Sequence, residues 1–369
     1  MIKVLITGAN GFIGKNLSVR LGENKEYYVI PFTRENTIDE LSEFVNVSDI
    51  IVHLAGENRS NDEAVFENVN VGLTEVICNA IRLSKRKIPI IFASSVQAKM
   101  DNPYGNSKRA AEKVLELLQA ETDNPTYIYR LPGVFGKWCR PNYNSVVATF
   151  CHNIARGMEI QINDELKELI LVYIDDVVYE FLNVIDKKRK IGFNCKVQPE
   201  YKISLGQLAK HINSFQISRK SLIIGSVGRG FKRALYSTYV SYLEPHQFSY
   251  MVSKHGDERG VFVEAMKTHE SGQFSYFTAH PGVTRGGHYH HSKSEKFLVI
   301  KGEARFGFRN IITNEKYELF TSGEKPEIVD TIPGWSHDIT NVSSEEMVVM
   351  LWANEIFDQD NPDTKQAEV

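Results

Sequence analysis

The first half of the chain alternates short apolar runs with segments in which apolar residues recur at helical spacing. The apolar runs predict strands, and the amphipathic segments between them predict helices. The predicted strands are residues 2–6, 27–32, 50–54, 88–93 and 128–131, and the predicted helices are residues 12–21, 65–84, 107–118 and 146–156. Because strands that alternate with helices form βαβ units with right-handed crossovers, this half predicts an α/β fold with a doubly wound parallel sheet.

The pattern changes after about residue 236. From residue 260 onward the apolar segments are short, rich in β-branched and aromatic residues, and separated by Gly or Pro. The predicted strands here are residues 261–265, 273–278, 295–300, 303–308 and 347–351. This half predicts an all-β domain, either a barrel or a jelly roll. We expect a first domain over residues 1–243, a second over residues 250–369, and frayed polar residues at 359–369.

Composition and charge exclude several classes of protein. A length of 369 residues is expected for two domains, and a formal net charge of −3 gives no basic surface for nucleic acid or for a membrane. No apolar run is long enough to span a bilayer, and residues 1–14 are too interrupted for a signal peptide. The four cysteines lie far apart without a Cys-x-x-Cys pair, which argues against a disulfide scaffold and predicts a cytoplasmic location.

A glycine-rich segment, residues 7–14, follows the first predicted strand and opens a helix. Gly8 permits a tight turn, Gly11 lets the backbone approach a pyrophosphate, and Gly14 lets the helix pack closely on the strand. The free N–H groups of the helix N-terminus would bind the phosphates, which predicts a dinucleotide-binding, Rossmann-type domain rather than a merely structural turn. The predicted cofactor contacts in this segment are Gly8, Asn10, Gly11, Phe12, Ile13 and Gly14.

The residues after the second predicted strand bear on the choice of cofactor. An acidic residue there would bind an unphosphorylated ribose, whereas an arginine would accept a 2′-phosphate. Thr33 and Arg34 occupy this place and Glu35 follows them. We therefore expect NADP(H) rather than NAD(H). In the alternative, Arg34 is a solvated surface residue and Glu35 contacts the ribose.

A reductase centre is predicted from Tyr104 and Lys108, which lie four residues apart and therefore on one face of a helix. A tyrosine alone titrates near ~10. A neighbouring ammonium and an oxidised nicotinamide would lower this pKa by favouring the phenolate. Ser94 and Ser95 end a strand, where a hydroxyl could hold a substrate carbonyl while Tyr104 gives it a proton and the cofactor gives hydride. The alternative is a solvated surface pair.

Residues 1 to about 235 resemble an extended short-chain dehydrogenase/reductase. The resemblance rests on the glycine-rich loop, residues 53–56, Asn70, the Tyr104/Lys108 pair, residues 130–136 and residues 173–177. The last two segments are typical of the nucleotide-sugar branch of that family. The resemblance implies that Ser95, with Ser94 as the second choice, supplies the hydroxyl. It also implies further cofactor contacts at Leu54, Ala55, Gly56, Asn70, Tyr104 and Lys108.

The densest cluster of potential metal ligands lies in residues 286–295. His288 and His290 are two apart, so on a strand they share a face, and Glu295 opens the next predicted strand. His337 follows a turn at Pro333-Gly334. Three imidazoles and one carboxylate can bind Zn²⁺, Fe²⁺, Mn²⁺ or Ni²⁺, of which we expect Zn²⁺ first. The alternative is a set of surface histidines on a turn.

Residues from about 250 to 360 resemble a cupin barrel. Gly282, five residues, His288-x-His290, four residues, Glu295, six residues and Gly302 reproduce the spacing of the first cupin motif. A looser second motif runs from Gly323 through the Pro-Gly turn to His337 and Asn341. The resemblance implies one divalent metal held by His288, His290, Glu295 and His337.

A nucleotide-sugar reductase joined to a cupin resembles the bifunctional capsular-polysaccharide enzymes of the CapF type, which act in the UDP-N-acetyl-L-fucosamine pathway. This resemblance implies that the cupin inverts C3 of UDP-2-acetamido-2,6-dideoxy-4-hexulose. The reductase would then reduce C4 with NADPH to give UDP-N-acetyl-6-deoxy-L-talosamine. We also expect a homodimer. The residues that could exchange the C3 proton stay unranked: Tyr276, Tyr289, His291 and Lys296.

Two alternatives remain open at this point. In one, the protein is a simple NADPH-dependent 4-ketoreductase of a UDP- or dTDP-deoxysugar, and the cupin is a binding or dimerisation module. In the other, the cupin is an iron dioxygenase, because its ligand set also accepts iron.

Overall fold

The computed structural model describes residues 1–60 and 62–369, which divide into two compact units. The first unit comprises Met1–Asn213 and Gly228–Leu243, and the second comprises Ser214–Val227 and Glu244–Val369. The short segment in the second unit is held there by backbone hydrogen bonds from Lys267 to Leu222 and from Ile224 to Lys267, both 2.8 Å long. The hydrophobic pattern did not predict this pairing because it joins residues far apart in the sequence.

A six-stranded parallel sheet forms the centre of the first unit, as the sequence predicts. The strands of this unit are β1 (Ile2–Thr7), β2 (Tyr27–Phe32), β3 (Ile50–His53), β4 (Ile90–Ser95), β5 (Thr126–Leu131), β6 (Gly133–Phe135), β7 (Glu168–Tyr173), β8 (Gly192–Cys195) and β9 (Tyr201–Ser204). The large sheet has the order β2-β1-β3-β4-β5-β8, and β6, β7 and β9 form a small separate sheet. Because the order reverses between β1 and β3, the carboxyl ends of these two strands border the crevice in which such folds bind ligands.

The helices of the chain are α1 (Phe12–Gly22), α2 (Ile38–Val47), α3 (Glu63–Phe66), α4 (Leu73–Ser84), α5 (Pro103–Thr122), α6 (Val146–Ala155), α7 (Ile174–Ile185), α8 (Leu205–Ser221) and α9 (Gly230–Val240). Helices pack on both faces of the parallel sheet. Val4 and Ile6 of β1 join one buried cluster with α1 and α7, whereas Leu5 joins another with α2, α4 and α5. Both faces of β1 are therefore buried from Val4 onward, which explains the apolar run Val4-Leu5-Ile6.

Two antiparallel sheets form the second unit. Its strands are β10 (Lys254–Asp257), β11 (Gly260–Thr268), β12 (Gly272–Ala279), β13 (Thr284–Tyr289), β14 (Glu295–Lys301), β15 (Glu303–Asn310), β16 (Lys316–Ser322), β17 (Ile328–Asp330), β18 (Trp335–Asn341), β19 (Met347–Ala353) and β20 (Lys365–Gln366). The sheet orders are β10-β11-β12-β19-β14-β17 and β16-β15-β18-β13-β20. Phe297 and Val349 from the first sheet pack against Phe306 and Ile339 from the second, so the core lies between the sheets. The all-β prediction is confirmed.

The expectation of a frayed C-terminal segment is wrong. His288 and Tyr289 of β13 pair with Gln366 and Lys365 of β20, so this polar segment adds a strand to the five-stranded sheet. Its backbone hydrogen bonds, which the polar composition does not reveal, hold it in place. Among the described residues, no helix has the length and apolar character needed to cross a bilayer.

Candidate active sites

The glycine-rich loop connects β1 to α1, and close packing requires its glycines. Gly8 has a φ of +71°, and a Cβ atom on it would lie 2.8 Å from the backbone nitrogen of Ala55. A Cβ atom on Gly14 would lie 2.3 Å from the carbonyl oxygen of Gly8. Gly11 caps α1 without a side-chain hydrogen bond, so the first N–H groups of this helix keep their capacity to bind an anion.

A buried chain of hydrogen bonds fixes the carboxyl ends of β1 and β3 beside this loop. The Thr74 hydroxyl donates to the Asn70 carbonyl (2.7 Å), so it accepts the hydrogen bond from Nε2 of His53 (3.0 Å). Nδ1 of His53 then accepts from the Thr7 hydroxyl (2.7 Å). This arrangement requires a neutral imidazole. Burial, and next the positive charge of Lys108, lower the pKa of His53 to about 3.

Asn70 lies in a π-helical turn, Glu67–Gly72, between α3 and α4. Its side-chain oxygen accepts from the Glu57 N–H (2.8 Å), and its amide donates to the Glu57 carbonyl (3.0 Å) and to the Ser107 hydroxyl (2.9 Å). A Cβ atom on Gly56 would lie 2.8 Å from this side-chain oxygen. Asn70 thus joins the loop after β3 to α5, and the wide π-turn places it there.

Tyr104 and Lys108 lie in the first two turns of α5, which begins with Pro103 after the N-cap residue Asn102. Lys108 is buried, its ammonium donates to the Ala93 carbonyl (3.0 Å), and burial lowers its pKa to about 8. Burial also raises the pKa of Tyr104, and a hydrogen bond with Ser95 partly offsets this rise. The lowering that the sequence analysis expects from Lys108 is therefore not among the causes acting on Tyr104 in this structure.

The two serines at the end of β4 have different partners. The Ser94 hydroxyl donates to the Glu112 carboxylate, which Arg130 also binds in bidentate fashion with its Nε (2.9 Å) and Nη2 (2.6 Å) atoms. Ser94 is therefore held in a buried structural cluster. Ser95 is less buried and acts on the pKa of Tyr104, which favours Ser95 over Ser94 for contact with a substrate carbonyl.

The residues predicted to select the cofactor lie on the surface after β2. The Arg34 side chain is 93% exposed and its Nη2 atom lies 3.3 Å from the Glu57 carboxylate. The half-buried Thr33 donates from its backbone N–H and its hydroxyl to the Asn36 side-chain oxygen, and Glu35 is exposed. An exposed ion pair holds its arginine weakly. Arg34 is therefore able to turn toward a 2′-phosphate, and its role in cofactor choice stays a prediction.

The second cluster forms between the two sheets of the second unit. His288 lies on β13 opposite His337 of β18, Glu295 opens β14 in the other sheet, and His290 follows β13 directly. One ligand atom from each of these four residues lies within 4.8 Å of the others. A β-bulge at Gly286 turns the chain here, and a Cβ atom at this glycine would lie 2.7 Å from the His337 carbonyl oxygen.

The hydrogen bonds within this cluster leave room for a cation. Nδ1 of His290 contacts the Asp363 carbonyl and must carry the proton, because a carbonyl only accepts. In the neutral imidazole, Nε2 of His290 then presents a lone pair to the Glu295 carboxylate at 3.2 Å. Both ring nitrogens of the buried His337 lack a hydrogen-bond partner among residues 1–60 and 62–369. Nitrogen and carboxylate lone pairs that converge in this way fit a divalent metal ion.

The charges around the cluster keep its groups in the forms that bind metals. Burial alone would raise the pKa of Glu295. The neighbouring His290 and His337 imidazoles, together with the Lys293 ammonium at 2.7 Å from Oε1, hold this pKa well below its usual range. Burial, and next the proximity of His337, lower the pKa of His288 to about 4. The carboxylate is therefore ionised and the His288 imidazole is neutral near pH 7.

The cluster borders a cavity of about 320 Å³ within the second unit. Besides His288, Glu295 and His337, its wall contains Arg259, Phe262, Phe277, Arg285, Gly286, Lys293, Phe297, Phe306, Asp338, Ile339, Leu351, Phe357, Thr364 and Gln366. The four candidates for proton exchange at C3 lie elsewhere. Lys296 pairs with Asp330, Tyr276 is 40% exposed, and the rings of Tyr289 and His291 pack on each other at 5.3 Å.

Sequence reasoning missed Lys293, although this residue brings the positive charge nearest to Glu295. Its side chain is buried and lies on the cavity wall. A lysine in a polar turn is normally solvated, so the sequence carried no signal for this burial. Asp363 was missed for a similar reason, since it lies 73 residues after His290 in a segment of polar composition.

Comparison with known proteins divides the chain in the same way. Residues 4–195 match the NAD dependent epimerase/dehydratase family, and residues 255–365 match the polysaccharide biosynthesis C-terminal domain. The chain is 57% identical over 368 residues to UDP-2-acetamido-2,6-beta-L-arabino-hexul-4-ose reductase from Pseudomonas aeruginosa. This match covers 100% of the chain and 99% of the relative.

Solved structures resemble the whole chain and also its first part alone. The crystal structure of the capsular polysaccharide assembling protein CapF from Staphylococcus aureus is 41% identical, with a TM-score of 0.93 over 99% of this chain and 100% of that one. UDP-glucuronic acid 4-epimerase from Bacillus cereus is 19% identical, with a TM-score of 0.52 over 58% of this chain and 83% of that one. The latter shares the fold alone.

Proposed function

Because the chain belongs to the NAD dependent epimerase/dehydratase family and, along its whole length, to the CapF type, we propose that it is a bifunctional nucleotide-sugar enzyme. Its second unit is a cupin that epimerises C3 of UDP-2-acetamido-2,6-dideoxy-4-hexulose. Its first unit then reduces the C4 ketone with NADPH to give UDP-N-acetyl-6-deoxy-L-talosamine for a surface polysaccharide. The observation that carries this proposal is the presence of two separate clusters of reactive side chains, one in each unit.

Chemistry requires that epimerisation precede reduction. The C3 proton is acidic only while a ketone at C4 can take up the negative charge of the enolate. Reduction of that ketone removes the acidity and traps the new configuration at C3. Reduction therefore draws the reversible epimerisation forward. The name of the Pseudomonas aeruginosa relative describes the reduction of a 2-acetamido-hexul-4-ose, which supports the second of these steps.

In the reductase centre, NADPH supplies a hydride when it is bound. The Tyr104 phenol donates its proton to the C4 oxygen as negative charge develops there, and its raised pKa keeps this proton in place until then. The Ser95 hydroxyl, which lies close enough to this phenol to lower its pKa, orients the carbonyl. Lys108 is anchored on the Ala93 carbonyl and contributes positive charge beside the site. Thr33 and Arg34 would receive the 2′-phosphate.

In the cupin, His288, His290, Glu295 and His337 would hold one divalent metal ion, with zinc as the first choice. When bound, such an ion would supply either a Lewis acid that stabilises an enolate or a structural link that fixes the cavity wall. Arg259, Arg285 and Lys293 lie on the cavity wall together with Glu295 and Asp338, so cationic side chains outnumber carboxylates there, which suits the diphosphate of a nucleotide sugar. The expectations of a cytoplasmic location and of a homodimer remain predictions.

Product analysis by NMR, with and without NADPH, tests this function on the full chain. Without NADPH, we expect the keto sugar inverted at C3. With NADPH, we expect the 6-deoxy-L-talo product. A reduced product with the original C3 configuration would instead support a simple 4-ketoreductase whose cupin serves only for binding or dimerisation. The reductase-only name of the Pseudomonas aeruginosa relative is the observation that favours this second candidate.

A further inference from the structure

Asp363 is the residue on which the turn between β13 and β14 is anchored. One carboxylate oxygen accepts from the backbone N–H of His291 (2.9 Å). The other accepts from the backbone N–H groups of Ser292 (2.7 Å) and Lys293 (2.8 Å) and from the Ser292 hydroxyl (3.0 Å). One side chain therefore satisfies four donors of the turn that separates His290 from Glu295.

The same residue also holds His290 directly. Its backbone carbonyl accepts the proton on Nδ1 of the His290 ring. A hydrogen bond of this kind fixes both the tautomer and the ring orientation of a metal-binding histidine, since it leaves Nε2 as the free ligand atom. Asp363 thus contacts His290 from one side and the turn leading to Glu295 from the other.

The residues after Asp363 are hydrogen-bonded to the chain beside the metal-binding cluster. We call residues 363–367 the strap. The Ala367 N–H donates to the Gly287 carbonyl at 3.0 Å, and the Ser336 hydroxyl donates to the Ala367 carbonyl. These bonds attach the strap to the residues beside His288 and His337, and Thr364 and Gln366 form part of the cavity wall.

We propose that Asp363 is a positioning residue for the metal-binding cluster, and that the strap that begins at Asp363 helps to hold the metal ligands in place. This inference rests on the metal site proposed above. Loss of the carboxylate releases four donors of the turn at once and loosens the carbonyl that orients His290. Removal of an outer partner of a metal ligand typically lowers metal affinity by about 10- to 100-fold.

The test is a Co²⁺ titration of the full chain after its metal has been stripped, followed by visible absorption. The unaltered chain is compared with Asp363→Ala, Asp363→Asn and the matched control Asp360→Ala. Asp360 is an exposed acidic residue of the same segment, so its removal makes the same change in charge. We expect Asp363→Ala to lose about 10- to 100-fold in Co²⁺ affinity, and Asp363→Asn to lose less because its amide oxygen still accepts.

The results separate this inference from the function on which it rests. If the unaltered chain binds no Co²⁺, the metal site itself is refuted. If the unaltered chain binds Co²⁺ and Asp363→Ala keeps an affinity within twofold and the same absorption spectrum, only the role of Asp363 is refuted. Should near-UV circular dichroism reveal that Asp363→Ala does not fold, Asp363→Asn decides by the same criterion.

Discussion

The Oε2 atom of Glu295 lies 3.4 Å from the Nε2 atom of His337, although the two residues belong to strands of different sheets. Each residue is buried, at 5% and 4% exposed. Neither ring nitrogen of His337 has a hydrogen-bond partner among the described residues, which is costly in a buried site, and a cation shared with Glu295 would lower that cost. This pair is therefore the part of the second unit that a metal ion would stabilise most directly.

We first predict that the chain purified without added metal contains about one divalent ion per polypeptide. Glu295→Gln should lower metal affinity more than about 100-fold, since it removes a ligand rather than an outer partner. Elemental analysis measures the metal content, and chelator competition measures the metal affinity. Glu303→Gln, an exposed glutamate at the start of β15, is the matched control and should leave the affinity unchanged. Equal metal content in the two variants would contradict the assignment of Glu295.

A second prediction concerns the phenol of the reductase centre. Tyr104→Phe should lower kcat for NADPH oxidation by about 10²- to 10⁴-fold, because it removes the proton donor for the C4 oxygen. Tyr179→Phe, on an exposed tyrosine of α7, should leave kcat unchanged. Steady-state kinetics with the keto sugar make the comparison, and an unimpaired Tyr104→Phe enzyme would assign proton transfer to another group.

Third, Arg34→Ala should raise KM for NADPH by about tenfold and leave KM for NADH nearly unchanged, because only the former cofactor carries the 2′-phosphate. Arg20→Ala, in the last turn of α1 and paired with Glu23, serves as the control. Equal changes in KM for the two cofactors would mean that another residue selects the cofactor. A larger change in KM for NADH would favour the alternative that Glu35 binds the ribose.

Fourth, His53 should make the first unit sensitive to acid. Its pKa is about 3 in the folded chain against an ordinary value near 6.5, so the unfolded chain binds one more proton between these two pH values. The free energy of unfolding therefore falls as the pH falls from about 6.5, by up to about 1.4 kcal/mol per pH unit. Hydrogen exchange of peptides from β3, measured at several pH values, detects this dependence.

The variant His53→Asn separates this effect from other titrations. It should lower protection at pH 7, because the Thr7 and Thr74 hydroxyls lose a partner. It should also flatten the pH dependence, since asparagine takes up no proton. His269→Asn, on an exposed histidine of the second unit, should change neither. A pH dependence that survives in His53→Asn would place its origin in other groups.

The general architecture was readable from the sequence because it follows from local patterns. The apolar run Val4-Leu5-Ile6 of β1 and the glycines after it predict a buried parallel strand and a tight turn without knowledge of distant contacts. The boundaries were less accurate. The helix predicted at residues 65–84 is α3, a π-helical turn and α4, and the side chain of Asn70 in that turn is hydrogen-bonded to Glu57, a contact that the local pattern does not reveal.

The candidate sites were predictable as far as spacing determines them. His288 and His290 could be paired from their separation of two, and Tyr104 and Lys108 from their separation of four. The roles of Ser94, Lys293 and Asp363 depend on partners elsewhere in the chain. Ser94 is hydrogen-bonded to Glu112, and Lys293 lies on the cavity wall. Asp363 is hydrogen-bonded to a turn that lies 70 residues or more earlier in the chain. Such contacts exist only after folding.

Deuterium incorporation at C3 of the keto sugar, measured by NMR in heavy water, tests the two-site account most directly. The full-length Tyr104→Phe enzyme without NADPH should incorporate deuterium at C3 as fast as the unaltered chain does, because proton exchange takes place in the second unit. The unaltered chain should lose this exchange when its metal is stripped if the ion is catalytic. The account is contradicted if the unaltered, metal-loaded chain introduces no deuterium at C3, or if Tyr104→Phe abolishes the exchange.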